Sequence, residues 1–377
     1  MIFERASGND FRFHFFLTLA TALVTLVPPQ RRRCCMKAVA IFEHGGIDKL
    51  QLADLPKPTA GPDDVIIGVK AVALNRLDVW VREGLPGLKL DMPFTLGSDV
   101  AGVIDSVGAH VTQFHPGQRV TINPGWWDAT CEFCMRGDHP LCVNFKIFGE
   151  HLPGGYAEFM RVPQRNVLPI PDDFEFTEIV AAPLAFLTAW RALITRGRLQ
   201  AGEDVVVLGA GSGVSSAAIQ IAKYAGARVF ATSHSDEKLQ RARALGAEVL
   251  INYATSEWEK EVFKITNKRG ADMVIDSVGE ATWLKSLRAL RKGGRLVTYG
   301  ATTGPNPAEE IRLIFWKQLE IIGTTMANQG EFMDVMKLIF ARKLKPVVDV
   351  ILPLEQAAQA HERLARNEQF GKIVLTV

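Results

Sequence analysis

The stretch from Asp204 to Lys238, DVVVLGAGSGVSSAAIQIAKYAGARVFATSHSDEK, limits the possible folds more than any other part of the chain. Asp204–Leu208 is a β-branched run, too short for a helix and closed by Gly209, which predicts a buried strand. Gly209, Gly211 and Gly213 permit a tight turn whose backbone N–H groups, with those of Ser212 and Val214, can approach a phosphate. From Val214 the period changes. Val214, Ala217, Ala218, Ile221, Ala222 and Ala225 share one helical face, and Gly226 stops the helix. Arg228–Thr232 is the next strand. Strand, glycine turn, helix and strand within about thirty residues is the layout of a dinucleotide-binding βαβ unit. The flanking strand and helix argue against the plain alternative, a glycine-rich surface turn.

The end of the second strand chooses the dinucleotide. An unphosphorylated ribose calls for an Asp or Glu about twenty residues beyond the glycines. Ser233 stands there, followed by His234, Ser235, Lys238 and Arg241. No carboxylate repels a 2′-phosphate at that point, and Lys238 can pair with one. Asp236 and Glu237 fit the first turn of the following helix, where the dipole favours acids. The expectation is NADP(H) rather than NAD(H).

A chain of 377 residues is long enough for two domains with proper cores. Its net charge of +2, with Lys and Arg scattered, gives no basic face for nucleic acid. The five cysteines are Cys34, Cys35, Cys131, Cys134 and Cys142. An odd count with three clustered points to reduced thiols able to hold a metal, not to a secreted disulfide framework, and to a cytoplasmic protein. Residues 1–35 stand apart. Phe15–Val27 is apolar but short for a stable membrane span, and Glu4 and Asp10 precede it where a signal peptide carries positive charge. Met36-Lys-Ala-Val-Ala-Ile opens a clean strand. Residues 1–35 are therefore expected to be an appendage ahead of a second start, with a targeting or anchoring role left open.

From Met36 to Leu168 short strands alternate with Gly and Pro turns: KAVAIFEHGG, LQLADLP, DDVIIGVKAVAL, VAGVIDSVG, QRVTINP and YAEFMRVP. This predicts a compact β-rich domain. A helical link follows at Ile179–Arg191. The strands VVVLG, RVFATS, EVLINY, DMVIDSVG, RLVTYG and LEIIGTT then alternate with helices, enough for a full doubly wound sheet. Glu331 to Val377 reads as two helices and a closing strand, KIVLTV, returning to the β-rich domain.

In order along the chain come MKAV, LGSDVAGVIDSVG at Leu96–Gly108, a cysteine-bearing loop, GGYAE, LTAWRAL, the glycine turn and QFGKIVLTV. Together they resemble the medium-chain dehydrogenase/reductase superfamily across nearly all of Met36–Val377. GSDVAGV, and NRLD at Asn75–Asp78, resemble its quinone oxidoreductase branch. The resemblance implies an α/β protein with a GroES-like β-rich catalytic domain and a doubly wound parallel-sheet Rossmann domain. The boundaries it implies are an appendage at 1–35, a catalytic domain at 36–186, an NADP-binding domain at 187–327 and a return to the catalytic domain at 328–377. It also implies a homodimer or tetramer, dimerising through the last Rossmann strand around Leu319–Thr325.

The zinc-dependent alcohol dehydrogenases of that superfamily hold catalytic zinc with a Cys, the His of a GHE motif and a second Cys. The corresponding positions here are Asn75, Ser98 and Leu184, and Asp99 replaces the GHE glutamate. None of the first three is a good zinc ligand, and Asp99 alone cannot supply the set that catalytic zinc needs. No catalytic zinc is expected. Asp128-x2-Cys131-x2-Cys134-x7-Cys142 resembles the family's four-cysteine structural zinc lobe with Asp128 in the first place. One carboxylate and three thiolates make a sound zinc set, so one structural Zn2+ per chain is expected; a lobe that keeps three reduced thiols without metal is the alternative.

Without a Lewis acid, hydride transfer to an already polarised quinone, enone or carbonyl is easier than alcohol oxidation. By resemblance Asn75 lies beside the nicotinamide as the catalytic contact, and Thr188, Tyr253, Ser277 and Lys372 line the cofactor with Gly209, Gly211, Ser212, Gly213, Val214, Ser233 and Lys238. Plainer roles compete: Asn75 as a cap, Thr188 bonded back within its helix, Lys372 solvated. Trp80, Trp126, Trp127, Phe148 and Phe186 are candidate walls for a flat acceptor, and His151 is a candidate proton donor. Asp78 reads as structural. The expected function is an NADPH-dependent quinone or enone reductase without stable membrane insertion. Two alternatives are an alcohol dehydrogenase with an atypical zinc ligand set and a non-catalytic NADPH-binding structural or sensor protein.

Overall fold

The structure, a computed structural model, describes residues 35–377; the expectations for the N-terminal appendage lie outside the described residues. The first half holds β1 (Cys35–Ile41), β2 (Gln51–Pro56), β3 (Asp64–Ala73), helix α1 (Arg76–Glu83), β4 (Phe94–Thr95) and β5 (Asp99–Val107). It continues through β6 (Arg119–Ile122), β7 (Gly125–Trp126), α2 (Glu132–Met135), β8 (Lys146–Ile147), β9 (Phe159–Pro163) and β10 (Val167–Pro169). Helices α3 (Phe176–Ile179) and α4 (Pro183–Trp190) lead out of it, α4 running on into a π-helical stretch, Arg191–Arg196.

The nucleotide half alternates β11 (Asp204–Val207), α5 (Gly213–Tyr224), β12 (Arg228–Ser233), α6 (Asp236–Ala244), β13 (Val249–Asn252) and α7 (Trp258–Ile265). Then come β14 (Ala271–Asp276), α8 (Trp283–Ala289), β15 (Leu290–Thr298), α9 (Ile311–Lys317) and β16 (Glu320–Gly323). The tail supplies α10 (Gln329–Phe340), β17 (Val348–Pro353), α11 (Ala357–Ala365) and β18 (Lys372–Thr376).

Strands β13-β12-β11-β14-β15-β16 form a sheet in that order, every pair parallel. The order reverses between β11 and β14, which opens a crevice at their carboxyl ends. Burial on both faces explains the unbroken apolar strands. In β11, Val205 and Val207 point into a core shared with α4, α5 and α10, and Val206 into one shared with Trp258 and Val262 of α7 and Leu287 of α8. Each of these side chains, fully buried, contributes about 1.5–3 kcal/mol. Phe176–Arg196 is the one helical run among the described residues long and apolar enough to cross a membrane, and 72% of its most apolar window is buried inside the protein.

The β-rich half is built on a seven-stranded sheet in the order β10-β6-β5-β3-β18-β17, with β9 also on β3. The tail threads into it: β18 runs antiparallel to β3 and parallel to β17. The sequence reading gave the tail one strand, and β17 is a second. Its residues VDVILP are only partly buried or exposed, so no apolar face marked it.

Candidate active site and metal lobe

The glycine turn follows from local geometry. Gly209 has φ +62°, open to glycine without strain. Ser212 caps α5, its hydroxyl accepting from Ser215 N at 3.0 Å, while Ser215 Oγ donates to Leu208 O at 2.8 Å and ties helix to strand. A Cβ on Gly211 would come within 2.9 Å of Lys238 Cδ, and one on Gly213 within 2.6 Å of Lys372 Cδ. The two lysines therefore lie across the turn. Ser233 ends β12, and Tyr253 and Ser277 follow directly on β13 and β14, so these candidates share the carboxyl edge of the parallel sheet with Gly209, Gly211, Ser212, Gly213 and Val214. Thr188 is buried on α4.

At the end of β12, the Ser233 hydroxyl accepts from Ser235 N, and Ser235 caps α6 with Asp236 and Glu237 in its first turn. Asp236 turns to β13, accepting from Asn252 Nδ2 at 2.8 Å. The Lys238 ammonium rests on the Asn367 carbonyl, and burial lowers its pKa. Arg241 reaches Phe370 O at 3.4 Å. The sequence did not reveal that the stretch just before β18 forms this wall.

A buried polar triangle spans three strands of the other sheet. The register sets Val374 of β18 opposite Ala73 of β3, and Ala73 opposite Asp99 of β5. Lys372 thus comes beside Asn75, with Asp99 on their flank. The Lys372 ammonium donates to Asn75 Oδ1 and, at 2.8 Å, to Asp99 Oδ2; Asn75 Nδ2 donates to Asp99 Oδ2 at 2.9 Å. Asp99 Oδ1 accepts from Leu184 N at 2.7 Å. Lys372 is only 4% exposed and Asp99 0%, so Lys372 is not a solvated surface group. Ser98 is fully buried, and its hydroxyl has no hydrogen-bond partner among the described residues.

Asp78 clamps this site from below. Its carboxylate accepts from Asn75 N at 2.7 Å and from Gly97 N at 2.9 Å. Burial pushes its carboxyl up to about 7, against the pull of those two donors. Nearby, Leu85–Lys89 after α1, with Glu150 and His151, line a cleft of about 640 Å³. Burial, with Asp78 close by, pushes Glu150 up to about 7, and burial lowers His151. Ile147 N donates to His151 Nδ1 at 3.3 Å, which leaves the ring proton of neutral His151 on Nε2. Sequence reasoning picked out His151 and missed Glu150, whose burial no local pattern reveals. The aromatic walls need correcting. Trp127, Phe148 and Phe186 are buried in cores, Trp127 stacked on His139 at 4.3 Å; only Trp80 and Trp126 stay partly exposed.

In the lobe the ligand atoms of Asp128, Cys131, Cys134 and Cys142 all lie within 4.8 Å of one another. Asp128 Oδ1 accepts from Thr130 N and Cys131 N, and Oδ2 from Asn144 Nδ2, each at 2.9–3.0 Å. These backbone donors hold its carboxyl below the usual range, while burial and the neighbouring Cys131, Cys142 and Asp128 push the Cys134 thiol up. One carboxylate and three sulfurs converging this closely fit a tetrahedral zinc and crowd acidic groups that a cation would neutralise. Arg191, 4% exposed, ties the lobe inward by pairing with both Asp138 and Glu331 of α10. Gln329 N adds a bond to His139 Nδ1 at 3.2 Å.

Residues 61–172 match the alcohol dehydrogenase GroES-like domain, and residues 213–341 match the zinc-binding dehydrogenase family. An NAD-dependent alcohol dehydrogenase of Sulfurisphaera tokodaii is 32% identical over 349 residues, 90% of this chain and 99% of that protein. The chain belongs to the medium-chain dehydrogenase/reductase superfamily. Another relative in that superfamily, the quinone oxidoreductase of Rattus norvegicus, is 31% identical over 350 residues, 90% of this chain and 97% of that one. A crystal structure of an NAD-dependent alcohol dehydrogenase superposes with a TM-score of 0.88 at 45% identity, covering 91% of this chain and 100% of that one. As a medium-chain dehydrogenase/reductase the chain is an oxidoreductase acting on small molecules, with a GroES-like half and a Rossmann half.

Proposed function

We propose that the protein is an NADPH-dependent reductase that transfers hydride to a quinone, an enone or an activated carbonyl without a catalytic metal. The observation that carries this reading is the Lys372–Asp99–Asn75 triangle beside Ser98 and Leu184. A lysine ammonium, an amide, a hydroxyl and a leucine offer no soft donor set for zinc, and the one carboxylate is engaged with Lys372 and Leu184 N. The cofactor supplies hydride at its nicotinamide C4 when bound. The chain's own residues bind it along the glycine turn, orient the acceptor at Asn75 and donate hydrogen bonds where charge develops. Glu150, protonated for part of the time near neutrality, can hold a proton in the wall of the nearby cleft.

A second reading, an NAD-dependent alcohol dehydrogenase, is favoured by relatives that bear that name. Initial rates with a quinone, an enone and a simple alcohol separate the two: turnover confined to the alcohol would overturn the reductase. Cofactor choice is tested on its own. Lys238→Ala is expected to raise the Kd of NADPH about tenfold or more while leaving that of NADH nearly unchanged, since only the 2′-phosphate loses a charge-assisted partner. Ser233→Asp is expected to shift preference toward NADH. Equal affinity of the wild type for both cofactors would contradict the assignment.

The lobe we assign to one structural zinc, held by Asp128, Cys131, Cys134 and Cys142. The partner we assign is a second copy of this chain. Among the described residues the outer edge of β16 is unpaired, and beside it Ile311, Phe315 and Trp316 of α9 are 67%, 62% and 72% exposed. An open strand edge beside an apolar patch suits an isologous contact.

A further inference from the structure

We propose that Lys372 is a positioning residue of this active site: held by Asp99, its ammonium fixes and polarises the Asn75 amide, leaving one Nδ2 hydrogen for the acceptor oxygen. The inference rests on the reductase reading above. Asn75 is held on nearly every side. Its backbone N is committed to Asp78, its Oδ1 to Lys372 and one Nδ2 hydrogen to Asp99. Flipping the amide would set its NH2 against an ammonium and its oxygen against a carboxylate, so one orientation is enforced. Among the described residues the second Nδ2 hydrogen has only Ala73 O, at 3.4 Å, within reach. That is a weak bond, and this donor is the one free for a ligand.

Asn75 is the N-cap of α1, in a capping box with Asp78, but that stabilising role calls for neither Lys372 nor Asp99. Removing a lysine and an aspartate from water is costly, and an apolar set of the same volume packs as well or better. Position explains it. Lys372 opens β18, its stem crosses Gly213 at the start of α5, and its head meets Asn75 just beyond the end of β3. One side chain thus joins the glycine turn to the residue expected beside the nicotinamide. When hydride bonds to the acceptor carbon, the carbonyl π pair moves to oxygen, and the cofactor is oxidised as the acceptor is reduced. Asn75 Nδ2–H donates to that oxygen while its charge grows, and Lys372 on Oδ1 makes the amide a stronger donor. A proton from water in the cleft completes the reduction.

The test compares Lys372→Met, Lys372→Arg and the double variant D99N/K372M, which removes the two paired charges together and leaves neither Lys372 nor Asp99 as a buried ion without its partner. Single-turnover hydride transfer to a quinone is measured at saturating NADPH, and the Asn75 side-chain amide is followed in spectra of Asn-selectively 15N-labelled protein. Lys372→Met and the double variant should slow hydride transfer about 100-fold, the scale for losing one oriented donor, with the Asn75 resonance displaced. Lys372→Arg should restore the rate to within about tenfold and return the resonance toward its wild-type place. A wild-type rate in the double variant once NADPH saturates, or an Asn75 resonance that ignores Lys372, would overturn the proposal. A wild type inert to every acceptor, with an Asn75 signal that still answers to Lys372, would overturn the reductase reading and support the positioning.

Discussion

Cys134→Ser is expected to empty the lobe of its metal and to lower the melting temperature by about 5 °C, on a scale of about 1.3 °C per kcal/mol for a chain of this length. Apart from the ties of Asp138 to Arg191 and of His139 to Gln329 and Trp127, the lobe has little packing of its own. Among the described residues the cysteines share their apolar cluster with Trp127 and the partly buried Phe145, and α2 is a single turn. The loss should spread. Asp138 and His139 leave the lobe's frame, so Arg191 keeps only Glu331, and α10 loses its bond from Gln329 N. Initial turnover at low temperature should survive, because the hydrogen bonds of the triangle join Lys372, Asn75, Asp99 and Leu184 and, among the described residues, run to no lobe residue. Zinc content, a thermal melt and an initial rate on one preparation check all three. A variant that keeps its zinc and its melting temperature would rule out the lobe as a structural metal site.

The other large effect belongs to Asp78. Its two oxygens accept from two separate backbone donors, Asn75 N and Gly97 N. Asp78→Asn presents an NH2 to one of them, leaving a buried N–H without an acceptor and two donors facing each other. We expect a loss of about 2–4 kcal/mol at pH 7, read by denaturant unfolding. The pH dependence has a definite sign. Burial raises the folded-state pKa of Asp78 to about 7, above the unfolded value, so its stabilising share is fully present below about pH 4 and falls away as pH rises to about 7. The gap between wild type and Asp78→Asn should therefore widen as pH drops from 7 towards 4. A gap independent of pH would mean that Asp78 is ionised throughout.

Much of this architecture was legible because it is locally encoded. The glycine turn, the change of period after Val214 and the six apolar runs of the nucleotide half need only neighbours in sequence to be recognised. The ligand spacing from Asp128 to Cys142 is equally local. What escaped is long-range. Asp99 and Lys372 are 273 positions apart, and only the antiparallel pairing of β18 with β3 brings them together. The sequence named Lys372 as a cofactor contact and dismissed Asp99 as a zinc ligand, yet nothing local showed that each is the other's partner. Trp127, Phe148 and Phe186 look like cleft aromatics by position, and burial claims them for the cores. Strand β17 stayed hidden because its side chains are shared between partial burial and solvent.

Catalysis without a catalytic metal is the claim on which the rest depends. The direct measurement is metal content and turnover followed together while a chelator is titrated into the purified enzyme at low temperature. The account predicts about one zinc per chain, bound in the lobe, and a quinone or enone reduction rate that stays level as zinc is withdrawn, until the lobe begins to unfold. Two zincs per chain, or a rate that falls in step with zinc while the fold remains intact, would contradict it and return Asn75, Ser98 and Asp99 to the role of metal ligands.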